Sequence, residues 1–414
     1  MNKTKTLLLL FTSVIFFTTA FAQTAPEITS NEDERAARWQ VWREYMMTQS
    51  QDIERLTEMA SRQITFGDAT MRFTYFIIGE PDANGFPLYI AMHGGGQTPI
   101  NEQQYEHMQI YYRESVKNGI YVAVRGVRDT WNTHFNDESF PIYDRLIENM
   151  ILLRNVDPNR VYLMGFSAGG DGVYGITPRM PDRFAAVSMS AGHHNQINVY
   201  NFQNTPILLQ CGDRDTAFER HLETARFGVK LTEMQKRFPG FQHVVNMQVN
   251  RGHNFADNSA ARNPQWVWEN SEKWLNGQPT DSVLVNTNAI DFLDKYVRNP
   301  LPTSVVWDLT IRAEMRSVES FYWLRADKKM TEGLIIASYD RRNNTITITT
   351  EGVKAPFSVL LNRTMLNFDR PITLTVNGNR SRINVSSSHD VIVETTNERG
   401  DLNFQFSAIV EVNP

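Results

Sequence analysis

The sequence predicts an α/β fold, a mainly parallel sheet flanked by helices, with a smaller C-terminal all-β sandwich. Three observations predict it. Apolar stretches at 88–92, 121–124, 161–164, 185–189, 207–211 and 244–249 alternate with helical spacing, as in Phe218, Leu222, Ala225 and Val229. Strands that are apolar throughout, separated by helices, suit a parallel sheet buried on both faces. The pattern then changes after Trp274-Leu275-Asn276-Gly277: residues 345–349 alternate strictly as Thr-Ile-Thr-Ile-Thr, and 372–376 runs into Asn377-Gly378, a hairpin turn signal. Lastly, Val161-Tyr162-Leu163-Met164 leads into Gly165-Phe166-Ser167-Ala168-Gly169. A strand, a tight turn and a helix start are written there, with glycines leaving room for a strained turn that lifts the Ser167 hydroxyl above the sheet edge.

The remaining elements follow in order. Residues 1–22 read as a signal peptide: Lys3 and Lys5, an apolar run over 7–17, then Ala20-Phe21-Ala22. That run is short for a transmembrane span, and no later stretch approaches the roughly 20 apolar residues a span needs. The chain is therefore expected to be exported, to the periplasm or outside the cell, with no stable membrane insertion after cleavage. Over 23–61 the residues Trp39, Trp42, Met46, Ile53 and Leu56 recur at helical intervals behind acidic Glu32, Asp33 and Glu34, predicting an amphipathic helix packed on the following domain. Residues 64–78, broken at Gly67-Asp68, read as two strands joined by a turn. The α/β domain is assigned to 62–280 and the β-sandwich to 281–414, with no necessary share for the latter in the chemistry.

Charge and cysteine content narrow the partners. The net charge is −5, or −7 without the two leader lysines, and no basic run occurs, which argues against nucleic acid. The lone Cys211 lies in an apolar strand and cannot form an internal disulfide, so it reads as a buried small hydrophobe. No cysteine stands directly after the leader, so lipoprotein anchoring at that point is not expected.

The serine turn gains meaning from what stands around it. An acyl-transfer site needs a nucleophile, a base, an orienting carboxylate and donors for an oxyanion. The strand at 88–92 runs into His93-Gly94-Gly95-Gly96, where bare backbone N–H groups can approach a developing negative charge. Gly94 and Gly95, with the N–H of Ala168 after the serine, are the oxyanion-hole candidates. The strand at 207–211 ends in Gly212-Asp213-Arg214-Asp215, and spacing does not choose between the two aspartates. The last strand leads into Arg251-Gly252-His253-Asn254, giving His253 as base and completing the order Ser, Asp, His.

This order and these motifs resemble the α/β-hydrolase superfamily over residues 62–277, in particular its secreted polyhydroxybutyrate depolymerase-like and feruloyl-esterase-like serine esterases. The resemblance implies that the acid stands three residues after the strand-ending glycine, which falls on Asp215. Those relatives commonly carry a cysteine in the oxyanion loop, where this chain has His93-Gly94-Gly95-Gly96-Gln97. The function expected is a secreted hydrolase of carboxylic esters, small or glycan-linked, working through Ser167, His253 and Asp215 without cofactor or metal. The alternatives are a serine peptidase on the same fold and a non-catalytic carbohydrate-binding or adhesion protein. Trp131, in the stretch 129–134, and His193 are cleft-lining candidates. His193 and His194 are adjacent, but side chains at i and i+1 diverge and no third ligand such as H-E-x-x-H accompanies them. Asp171, just past the turn, reads as structural.

Overall fold

The computed structural model describes residues 27–248, 251–255, 266–268 and 288–414. The leader expected over 1–22 lies outside the described residues. Among those described, no helix is long and apolar enough to cross a membrane.

Nine strands form the main sheet: β1 (Gln63–Phe66), β2 (Ala69–Ile78), β3 (Phe86–Met92), β4 (Gly119–Val124), β5 (Val156–Phe166), β6 (Ala186–Ser190), β7 (Ile207–Gly212), β8 (His243–Gln248) and β9 (Trp266–Trp268). Their spatial order is β1-β2-β4-β3-β5-β6-β7-β8-β9. From β4 to β8 every pairing is parallel, while the hairpin strand β2 meets β4 antiparallel. Every residue of β3, β4, β6 and β7 is buried. Alternate side chains go to opposite faces: Leu88, Ile90 and Met92 join one apolar core, and Tyr89 and Ala91 the other. Helices α3 (Ile100–Tyr111), α4 (Ser139–Arg154), α5 (Ala168–Ile176) and α6 (Arg220–Arg237) cover the sheet. The crossing of β3 and β4, with the serine turn after the central β5, is the α/β-hydrolase fold.

The N-terminal segment differs from the single stripe expected over 23–61. It holds two helices, α1 (Asn31–Gln49) and α2 (Ile53–Ser61), the second restarted by Asp52, whose carboxylate accepts from Arg55 N–H. Trp39, Ile53 and Leu56 are exposed, whereas Glu34, Arg55 and Glu58 are buried. Polar side chains join Ala37, Val41, Trp42 and Met59 on the inward face because their partners lie far along the chain. Arg55 donates to Asn149 at 2.8 Å and to Glu148 at 2.9 Å, and Glu58 accepts from Asn149 at 2.7 Å and Arg145 at 2.8 Å.

The C-terminal unit is a sandwich, but not purely β. One sheet orders β10 (Ser304–Asp308), β13 (Leu334–Asp340), β14 (Thr345–Glu351), β16 (Ile372–Val376) and β17 (Asn379–Ile383). The other orders β11 (Ser320–Phe321), β12 (Leu324–Arg325), β15 (Phe357–Leu361) and β18 (Ala408–Val412). Ile346 and Ile348 of β14 face Val359 and Leu361 of β15 within one shared core, and the β14 threonines turn outward. The two short helices are α7 (Ala289–Leu293) and α8 (His389–Arg399). The boundary expected near 280 lies outside the described residues, and α7, beyond it, packs into the core of the main sheet. The sandwich proper starts at β10.

α1 joins the two units. Its Trp42 enters the main core, while Ala37 and Val41 meet Ile392 of α8. Buried Glu34 accepts from Arg363 N–H at 3.0 Å and from the hydroxyls of Ser387 and Ser407.

Candidate active site

β5 delivers the chain to Ser167 at the carboxyl edge of the sheet, and α5 takes it away. Ser167 has φ 57° and ψ −119°, a strained backbone that persists only where its surroundings hold it. The glycines on either side are required by contact. A Cβ on Gly165 would lie 2.1 Å from Gly169 O, and one on Gly169 would lie 2.2 Å from Met92 O. The turn is held by Ser167 N–H donating to Ser190 O and Asp171 N–H donating to Ser167 O, each at 2.9 Å. Ala168 opens α5, so its N–H has no acceptor inside the helix and stands at the positive end of the helix dipole.

The structure brings Ser167, His253 and Asp215 into one chain of contacts. His253 Nε2 is 2.9 Å from Ser167 Oγ, and His253 Nδ1 is 2.8 Å from Asp215 Oδ2. Asp215 is almost fully buried, and its side chain is also 3.9 Å from Arg220 Nη1. Asp213 has no such contact; its backbone N–H is used on Gln248 O at 3.1 Å. The turn after β7 thus separates two aspartates that spacing could not. The loop carrying His253 is seated on β7, where Arg214 N–H donates to Arg251 O at 2.9 Å.

The glycine loop after β3 lies against the serine: a Cβ on Gly94 would be 3.2 Å from Ser167 Cβ. Gly95, Ser167 and Ala168 line one cleft. Side chains around the glycine run hold this loop, and of these only Asn101 lies outside the stretches the sequence offered. Buried Asn101 accepts from Gly96 N–H at 2.6 Å and donates to Asp129 at 2.7 Å. His93 accepts at Nε2 from Gly126 N–H at 3.0 Å and faces Gly94 O through Nδ1 at 2.5 Å. Burial pushes the His93 imidazole down to about 4, so it is neutral at ordinary pH and carries its proton on Nδ1. His134, at the end of the stretch 129–134, sits behind it, with Nε2 at 2.9 Å from His93 O. The signal for Asn101 is tertiary and leaves no local trace in the sequence, whereas Asp129 opens the stretch 129–134 already placed near the cleft.

The cleft has a volume of about 480 Å³, and both Trp131 and His193 line it. Trp131 is largely exposed at the rim, and so is Phe218, whose spacing put it in one helix with Leu222, Ala225 and Val229. Phe218 and Glu219 both have left-handed backbones, with φ 56° and 52°, so the chain turns outward before α6 begins. Arg220 lies over the Phe218 ring at 4.8 Å and also lines the cleft. Asp171 belongs to the cleft as well. Its carboxylate accepts from His193 N–H at 2.7 Å, and burial raises it to about 6, against the opposing pull of that hydrogen bond and of Arg220.

His193 and His194 do not diverge. Their rings stack at 5.5 Å with 14° between planes, His194 Nε2 pairs with Glu223 at 2.5 Å, and His193 Nδ1 faces Asn195 Oδ1. Among the described residues, no group of three histidine, cysteine or carboxylate side chains is arranged to hold a metal ion. Cys211 is buried in β7, and burial pushes its thiol up.

Neither a family profile nor a curated protein matches the sequence. Solved structures similar in part include esterase PE8, 16% identical, covering 46% of this chain and 95% of its own, with a TM-score of 0.36. A poly(3-hydroxybutyrate) depolymerase from Bordetella parapertussis is 16% identical, covering 52% of this chain and 86% of its own, with a TM-score of 0.37. A putative dipeptidyl aminopeptidase IV from Bacteroides ovatus is 15% identical, covering 48% of this chain and 33% of its own, with a TM-score of 0.35. Likenesses this low add nothing to what the strand order already establishes.

Proposed function

We propose that the chain is a serine hydrolase of carboxylic esters. The observation that carries the reading is the continuous contact Ser167–His253–Asp215 at a strained strand-to-helix turn. Ser167 Oγ attacks the ester carbonyl as His253 Nε2 takes its proton. Asp215 holds the imidazole so that Nδ1 keeps its hydrogen and Nε2 stays free to act. The tetrahedral oxyanion is received by backbone N–H groups of Ala168, Gly95 and Gly94. His253 then protonates the departing alcohol, a water is activated by the same imidazole, and the acyl group leaves as a carboxylate.

Further support comes from the immobilised loop. An oxyanion hole is effective only if its donors are already in place when charge develops, and His93 and Asn101 fix this one from behind. The reading extends to an exported enzyme acting on small or glycan-linked esters. The test is turnover of a panel of aryl acetates, feruloyl esters and hydroxyalkanoate esters by the chain without residues 1–22, beside matched anilides and dipeptide amides. The esters should be cleaved at least a hundredfold faster than the amides. Faster amide cleavage would assign the site to a peptidase, and no turnover of either would end the hydrolase reading.

A further inference from the structure

Away from the catalytic cleft, a second concave site lies where α1 meets the sandwich. Its volume is about 580 Å³, and its walls include Arg35, Arg38 and Trp39 of α1 with Arg341 and Arg363 of the sandwich. Four arginines line it, although the chain as a whole carries a net charge of −5. Little within the protein satisfies them. Arg35 has no hydrogen bond or ion pair among the described residues. Arg38 uses one of its five donors, on Leu402 O at 3.5 Å, and Arg341 bonds only backbone carbonyls, those of Arg363 and Thr364. Among the described residues, Arg363 alone of the four is hydrogen-bonded to a carboxylate, Asp369 at 2.7 Å, while the Glu34 carboxylate favours the charge on Arg38. The one acid on the cleft wall, Glu34, is buried and already accepts from Arg363 N–H, Ser387 and Ser407.

Like charges gathered in a concavity repel one another and concentrate anions. Guanidinium donors left unused match carboxylate geometry, two N–H groups to two oxygens. Trp39 adds a flat apolar surface, half exposed at 51%, and follows Arg35 at i+4, which puts the two on one side of the helix. A second hollow of about 380 Å³, lined also by the exposed Glu32 and Ala36, shares Arg35 and Trp39 with the first. The two together make a groove that passes over the indole, which suits a chain of rings more than a single small anion.

We infer that this groove binds an acidic oligosaccharide, with sugar carboxylates on Arg35, Arg38 and Arg341 and a ring face on Trp39. The site would hold the protein on a uronate-bearing glycan, and it operates whether or not Ser167 is a nucleophile.

Calorimetric titration of the chain without residues 1–22 tests it, using a galacturonate hexamer, a neutral galactose hexamer and hexaglutamate as probes. The galacturonate hexamer should bind, at least tenfold more tightly than the neutral one, and weaken as salt is raised. Trp39→Ala and, separately, Arg35→Gln should each weaken it about tenfold or more. Arg35→Gln removes no internal hydrogen bond, so it reports on the groove even if Trp39→Ala lowers the melting temperature. Equal binding of charged and neutral hexamers, no binding of either, or variants that bind like the parent would each overturn the inference. Hexaglutamate binding as tightly as galacturonate and insensitive to Trp39→Ala would do the same, by giving the groove to acidic peptides.

Discussion

At the scale of single residues, the choice between Asp213 and Asp215 and the behaviour of Asp171 are the sharpest consequences of the geometry. Only Asp215 reaches His253 Nδ1. Asp215→Asn should leave the fold intact and lower kcat by roughly 10⁴, because the imidazole loses its tautomeric hold, while Asp213→Asn should leave kcat within a few-fold; steady-state kinetics on an aryl ester decide between them. Asp171 yields a pH prediction. Its carboxyl is raised to about 6 in the fold from an ordinary 3.8, so between these values the folded chain binds more protons than the unfolded one. Stability must then fall as pH rises through that window. Asn at this position keeps an oxygen for His193 N–H and carries no charge. Asp171→Asn should therefore raise Tm by a few degrees at pH 8, with the difference vanishing below pH 4. A lowered Tm at pH 8 would mean that the Asp171 charge is favourable where it stands.

At the scale of elements, the strand-to-helix turn and the glycine loop were legible because their chemistry is local. Gly165, Ser167 and Gly169 stand within five residues, and Gly94 and Gly95 directly follow a buried strand. The pairing that supports that loop was not legible, since Asn101 and Asp129 come from different elements that meet only when the sheet forms. Asn101→Ala frees Gly96 N–H and should lower kcat by about ten- to a hundredfold with KM little changed, because the oxyanion donors rather than the substrate lose their seating. An equal rise in KM, or a kcat unchanged, would show that the loop needs no such pin. The helices of 31–61 were misread for the converse reason. Periodicity rewards apolar residues, whereas α1 and α2 bury Glu34, Arg55 and Glu58 on polar partners contributed by α4 and the sandwich. Phe218 was misplaced by a left-handed turn that no helical periodicity encodes.

At the scale of the whole molecule, the sandwich is not the independent unit the sequence implied, because charges of the hydrolase unit are completed by it. Buried Asp144 accepts from Arg183 at 2.6 Å and from Arg316 at 2.7 Å, and buried Asp182 meets Arg399 at 3.1 Å and accepts from Tyr322 N–H at 3.0 Å. Burial alone would raise these carboxyls, but Arg316 and Arg183 around Asp144, and Arg399 and Arg316 around Asp182, hold both below the usual range. Removing the sandwich would take away Arg316, Arg399 and Tyr322 N–H, leaving Asp144 on Arg183 alone and Asp182 without its closest cation. Arg316→Met should cost about 3–5 kcal/mol in urea unfolding, and a chain ending near residue 280 should fail to fold, contrary to the independence the sequence suggested; a soluble, fully active truncation would refute the coupling. The central claim, that the assembled molecule presents Ser167 as an activated nucleophile, is tested most directly by intact-mass analysis after exposure to a fluorophosphonate. Native protein should gain a single adduct, mapped to the peptide containing Ser167 and lost in both Ser167→Ala and heat-unfolded protein. An unmodified native protein, or an adduct that persists in Ser167→Ala, would contradict that claim.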